Sequence, residues 1–147
     1  MSVINNILFP ADGSETSNKA LTFVKNLALK FEAKVTVIHI YEFPVLIGGF
    51  EINPVYIVEL EQNLQKRGET ILENAKKELD LMGIESATIL LQGDTGKTIV
   101  DFVNGDAYDL LVIGSHGTGA IKSFLMGSTS NYVIHHTNCP TLVIQKE

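Results

Sequence analysis

The chain has 147 residues, 45% hydrophobic and 19% charged, with 11 Lys+Arg against 17 Asp+Glu and a formal charge of −6. This is the length and balance of one globular domain over residues 1–147, which excludes a disordered chain and needs neither disulfide nor metal to build a core. An acidic chain with no Trp and no basic run is poorly suited to gripping a nucleic-acid backbone, and its one cysteine, Cys139, excludes an internal disulfide or a multi-cysteine zinc site. No stretch approaches the roughly 18 apolar residues of a membrane span. The first Lys is Lys19, so no secretory signal is expected and the cytoplasm is the expected compartment.

Val3–Pro10 is a short, mostly apolar run halted by Ala11-Asp12-Gly13-Ser14, which predicts a strand ending in a turn. Ala20, Val24, Leu27, Ala28 and Phe31 recur at helical spacing, so residues 14–31 form an amphipathic helix. Lys34–Tyr41 is β-branched and apolar, a second strand. Residues 42–55 hold Pro44, Gly48, Gly49 and Pro54 without a period and are expected to be a loop. Leu60, Leu64, Ile71, Ala75, Leu79 and Met82 mark one stripe of a long helix, with Lys66, Arg67, Glu69, Glu73, Lys76 and Lys77 on its other face and Gly83 as its stop. Ala87–Leu91 is a third strand, Lys97–Asn104 a short helix, and Leu110–Ile113 the most apolar strand. A Gly/Ser/Thr-rich loop from Gly114 to about Ser130, a short helix to His136 and a last strand at Thr141–Ile144 complete the chain.

This alternation of strand and helix, with strands apolar throughout, predicts a parallel sheet covered on both faces and doubly wound by right-handed crossovers. Ligands of such sheets bind beyond the carboxyl ends of the strands, where strand order reverses. The informative loops are therefore those after each strand.

Two motifs fail on spacing. Gly93-Asp94-Thr95-Gly96-Lys97-Thr98 resembles the end of a P-loop, but the required first glycine falls on Leu91; the residues read as a turn with Asp94 or Thr95 capping a helix. A dinucleotide fingerprint at Gly117-Thr118-Gly119 needs a glycine where Lys122 stands. The Gly114–Ser130 segment carries more. It places Gly114, Gly117, Gly119 and Gly127 and several hydroxyls before a helix, and no Asp or Glu occurs from Leu110 to Lys146. Such a segment is either a capped solvent loop or an anion cradle, in which glycine admits close approach and the helix N-terminus supplies N–H groups. Asp12, with Glu15 close behind, suits neither phosphate nor any other anion; Asp12 is either a helix cap or an acceptor for hydroxyls such as those of ribose. His39 reads as a packed strand histidine, His135 and His136 as dipole partners at a helix end, and Cys139 as packing. Ser115 lacks a nucleophile-elbow context, and no group of residues has metal-ligand spacing.

Gly114-x-x-Gly117, nine residues, then Gly127-Ser128 resembles the ATP-binding signature of the universal stress protein family. The opening Ile-Leu-Phe-Pro-Ala-Asp-Gly-Ser, the strand end Val-Ile-His-Ile, the stretch Asp109-Leu-Leu-Val-Ile-Gly-Ser-His-Gly and the close Asn-Cys-Pro-Thr-Leu-Val-Ile resemble family landmarks in family order. The resemblance implies a five-stranded sheet of order 3-2-1-4-5, an adenine-nucleotide alpha-hydrolase-like fold. It implies that Asp12 holds the ribose, that backbone near Pro10, Ala11 and Ile40 lines an adenine slot, and that Gly114, Ser115, His116, Gly117, Gly127, Ser128, Thr129 and Ser130 wrap the phosphates of ATP, ADP or AMP. Mg²⁺ would arrive with the nucleotide.

Three functions then compete: an ATP-binding stress-response or signalling module, a slow ATPase or nucleotidyl-transfer enzyme, and a dimeric interaction protein without nucleotide. The phosphate loop carries no carboxylate base and offers only His116, so turnover is expected to be slow or absent. The apolar last strand, Thr141-Leu142-Val143-Ile144, falls at a sheet edge in the implied order and is expected to pair with a second copy as a homodimer.

Overall fold

The computed structural model describes residues 3–43, 53–116 and 126–146. Nine elements alternate along them: β1 (Asn6–Pro10), α1 (Glu15–Phe31), β2 (Lys34–Tyr41), α2 (Pro54–Leu81), β3 (Ser86–Gln92), α3 (Thr95–Asn104), β4 (Leu110–Gly114), α4 (Ser128–His136) and β5 (Thr141–Ile144). The strands form one parallel sheet of order β3-β2-β1-β4-β5, as expected.

Period-two alternation explains why strands apolar on both faces were needed. Ile7 and Phe9 of β1, Val35 and Val37 of β2 and Val112 of β4 pack toward Ala20, Leu21 and Val24 of α1 and Leu72, Ala75 and Leu79 of α2. Their neighbours Leu8, Ile38, Ile40, Leu111 and Ile113 pack toward Ile99, Val100 and Val103 of α3 and Val133 of α4. The register of the central pair, Ile7 against Leu110, is pinned by Asp109, whose Oδ2 accepts the backbone N–H groups of Asn5 (2.8 Å) and Asn6 (2.9 Å).

Several boundaries move for identifiable reasons. Residues 44–52 of the expected 42–55 loop lie outside the described residues, but α2 starts at Pro54, six positions before its apolar stripe becomes regular. Asn53 caps it through Val55 N–H (3.0 Å), and proline is favoured at a first helical position. Gly83 follows α2 with φ of +71°, the left-handed conformation that glycine adopts without cost. Asp94 is the N-cap of α3, accepting Lys97 N–H at 2.9 Å. Ser128–Ser130, expected in the loop, form the first turn of α4. Cys139 is half-buried beside the Tyr108 carbonyl (3.6 Å); burial first, then the charge of Asp109, pushes its thiol pKa up, so it packs as a protonated thiol. Among the described residues no helix is long and apolar enough to cross a membrane.

Candidate functional site

β1 and β4 are neighbours, yet the chain leaves β1 toward α1 on one face and leaves β4 toward α4 on the other. The diverging loops open a crevice at the carboxyl ends of the strands, the position where doubly wound sheets hold ligands. A cavity of about 480 Å³ occupies it. Its walls include Pro10, Ala11 and Asp12 after β1, Ile38 to Glu42 of β2 and its end, Gly114 and His116 after β4, and Gly127, Ser128, Thr129 and Ser130 at the start of α4. These include ten of the twelve site residues expected from sequence. Gly117 lies outside the described residues.

Ser115 is placed differently from the expectation. It is buried behind the cavity and is not part of its wall. Its N–H donates to the Ile144 carbonyl (2.8 Å), its carbonyl accepts the Gly127 N–H (2.7 Å), and its hydroxyl meets His116 Nδ1 at 2.9 Å. It thus holds β5, α4 and His116 together. Ser130 does line the cavity, but its hydroxyl donates to the Gly114 carbonyl (2.6 Å), so its side chain is committed to tying α4 to β4.

The loop after β1 is clamped from both sides. Ala11 N–H donates to the Ile38 carbonyl (2.8 Å), and the Ala11 carbonyl faces His39 Nδ1 at 2.7 Å. A carbonyl only accepts, so Nδ1 is the protonated nitrogen. The next residue, Asp12, is fixed by its N–H to Ser17 Oγ (3.2 Å) and by its Oδ1, which accepts Ser14 N–H (2.9 Å). The cap of α1 is Ser14, whose hydroxyl accepts Ser17 N–H at 3.1 Å. The cap reading of Asp12 therefore gives way to a carboxylate on the cavity wall.

Three helices start at the cavity, and the N-termini of α3 and α4 differ in charge. At α3, Asp94 and Glu42 both accept from the first turn, Glu42 Oε1 taking Thr95 N–H (2.8 Å) and Thr95 Oγ1–H (2.9 Å). At α4 the cap is Gly127, no side chain accepts from the first turn, and no acid lies in it. The dipole and N–H groups of α4 thus face the cavity without a competing carboxylate, the condition for taking an anion. Among the described residues no three His, Cys, Asp or Glu side chains come together to hold a metal ion.

Sequence reading missed Glu42, Thr95 and Arg67 on the cavity wall. Glu42 directly follows a strand and was findable by the same rule that singled out Asp12. Arg67 was assigned to the outer face of its helix; only the placement of α2 against β2 and β3 turns it toward the cavity.

Such a fold and crevice define a doubly wound α/β protein with a cavity at its switch point. Residues 4–145 match the universal stress protein family, and the chain belongs to that family. It is 30% identical over 148 residues to universal stress protein YxiE of Bacillus subtilis, covering 97% of this chain and 100% of that one. It is 31% identical over 160 residues to universal stress protein MJ0577 of Methanocaldococcus jannaschii, covering 100% and 99%. The solved structure of MJ0577 superposes with a TM-score of 0.87 at 29% identity, covering 99% of this chain and 98% of that one. Two more distant structures share the fold: a universal stress protein of Archaeoglobus fulgidus in complex with dAMP (TM-score 0.62, 24% identity, 98% and 99% covered) and an Arabidopsis thaliana family protein with AMP bound (0.66, 16%, 97% and 92%).

Proposed function

We propose that the chain is a single-domain, cytoplasmic stress-response or signalling module that binds an adenine nucleotide, ATP or its AMP and ADP relatives, in the switch-point cavity. The observation that carries this reading is the opposition of the acid-free start of α4 and the Asp12 carboxylate across one cavity. The first suits phosphates and the second suits ribose hydroxyls. Ile38, Ile40 and Ile99 offer an apolar seat for a base. Fold relatives carrying AMP and dAMP support the same ligand class. Gly117 belongs to this reading through its place in the sequence signature. Mg²⁺ comes with the nucleotide.

Two measurements test it. Freshly purified protein is expected to release adenine nucleotide on denaturation. Asp12→Ala is expected to weaken ATP by roughly 1.5–3 kcal/mol, the range for a hydrogen bond to a charged group. That loss should shrink for a 2′,3′-dideoxy nucleotide. Equal losses for both ligands would remove Asp12 from the ribose site.

The same reading includes a homodimer through Thr141–Ile144. Among the described residues β5 is the edge strand beyond β4, and it has no internal proline or charge to blunt it. Light scattering at micromolar concentration should give twice the chain mass, and Val143→Pro, which deletes a ladder N–H, should reduce it toward one. A wild-type mass of one chain overturns the dimer.

A further inference from the structure

We infer that the buried hydroxyl of Ser115 holds neutral His116 as its Nε2–H tautomer, which makes His116 a hydrogen-bond donor to the phosphates and denies it the part of a general base. The donor role rests on the nucleotide reading above; the tautomer does not. Ser115 is buried. Its N–H and carbonyl are engaged with Ile144 and Gly127, and its hydroxyl has one partner among the described residues, His116 Nδ1 at 2.9 Å. Two arrangements of hydrogens fit that distance. If Nδ1–H donated to Oγ, the hydroxyl proton would be left in the interior with no acceptor. An unpaired buried donor costs more than a typical hydrogen bond returns. The hydroxyl therefore donates and Nδ1 accepts. A neutral imidazole carries one proton, which then lies on Nε2.

The tautomer decides what the ring can do. A general base needs an accessible lone pair. In neutral His116 the lone pair is on Nδ1 and is taken by Ser115, while Nε2 carries the proton. His116 lies on the cavity wall with its Cα against the N-cap of α4, where a Gly127 Cβ would stand 3.7 Å away. A donor there adds to the N–H groups of an acid-free helix start, the charge pattern that favours an anion. The other three of the chain's four histidines have the opposite tautomer. In His39, His135 and His136, Nδ1 lies 2.7 Å from a backbone carbonyl, of Ala11, Asn131 and Tyr132 respectively. A carbonyl only accepts, so each of these three carries its proton on Nδ1. Ser115 is thus a positioning residue, acting on the ligand through His116.

Nitrogen NMR of the intact, histidine-labelled protein without nucleotide reads the tautomer directly. At about pH 8.5, above the ordinary imidazole range near 6.5, one ring should show a protonated Nε2 and a bare Nδ1, and that signature should vanish in His116→Gln. A protonated Nδ1 in His116 overturns the inference whatever the nucleotides do. Calorimetric titration with ATP and with adenosine tests the donor role. Glutamine reaches the place of Nε2–H with its amide N–H₂ and should keep ATP affinity close to wild type. His116→Asn, too short, and His116→Ala should lose about tenfold, the low end for a hydrogen bond to a charged group. Adenosine, which has no phosphate, should bind all of them alike. Ser115→Ala removes only the hydroxyl and keeps both backbone hydrogen bonds. It should weaken ATP at least about twofold beside His116, the lower bound for coupled neighbours, and not at all in the His116→Ala background. Thermal unfolding of each variant reports any structural loss separately. Equal losses for ATP and adenosine, or for the glutamine and asparagine variants, overturn the donor role and leave the nucleotide reading standing. Failure of the wild-type protein to bind ATP overturns both.

Discussion

Gly127→Val is expected to lower nucleotide affinity by about two orders of magnitude or more, the loss of roughly two phosphate hydrogen bonds at about 1.5–3 kcal/mol each. Strain in the backbone is not the cause, because Gly127 has φ of −61°, open to any residue. The cause is space. A Cβ there would sit 3.3 Å from the Ser115 carbonyl oxygen and 3.7 Å from His116 Cα, and both are backbone atoms that cannot rotate away. Alanine fits if its neighbours give by a few tenths of an ångström; the two further methyl groups of valine have no such room. The Gly127 N–H, now donated to Ser115 at 2.7 Å, would be displaced and the first turn of α4 re-aimed. Valine is also among the poorest N-cap residues. Titration with ATP, beside circular dichroism to show an intact fold, measures the effect, and Gly127→Ala serves as the mild comparison. Wild-type affinity in the valine variant would move the phosphates away from α4.

The fold was legible because its signals are local and repeated. Each strand is apolar on both faces, which only a sheet covered by two helical layers satisfies, and each helix has its own stripe and stop, as Gly83 does for α2. The strand order came through the family resemblance, since periodicity says nothing about which strands are neighbours. At the site, residues flanking strand ends were legible from chain position: Asp12 after β1, Gly114 and His116 after β4, Gly127 before α4. What could not be read was how side chains are spent. Ser115 and Ser130 carry hydroxyls in the right segment, yet one is buried behind the wall and the other donates to Gly114. Arg67 and Gly68 matter through the approach of α2 to β2 and β3, which no local pattern records.

Gly68→Val is expected to destabilise the protein by about 1–3 kcal/mol, the usual range for overpacking, and to weaken nucleotide binding as well. In an exposed helix the substitution would be mildly favourable, since valine exceeds glycine in helix propensity by a few tenths of a kcal/mol. Packing decides against it. Gly68 is buried where α2 crosses β2 and β3, and a Cβ there would lie 2.6 Å from Leu90 Cδ1 and 2.7 Å from His39 Cδ2. The leucine tip can rotate aside at small cost. The imidazole cannot do so without breaking its 2.7 Å bond to the Ala11 carbonyl, which clamps the loop that presents Asp12. The added methyl groups therefore push either α2 off the sheet, which lowers stability, or His39 off Ala11, which loosens the Asp12 wall of the cavity, the side proposed for ribose. Denaturant unfolding separates the first effect and ATP titration the second. A double-mutant cycle with His39→Ala assigns the contact: the cost of Gly68→Val should drop by at least about 0.5 kcal/mol in the background without the ring, the lower bound for coupled neighbours. Strict additivity would show that the imidazole is not what the glycine makes room for.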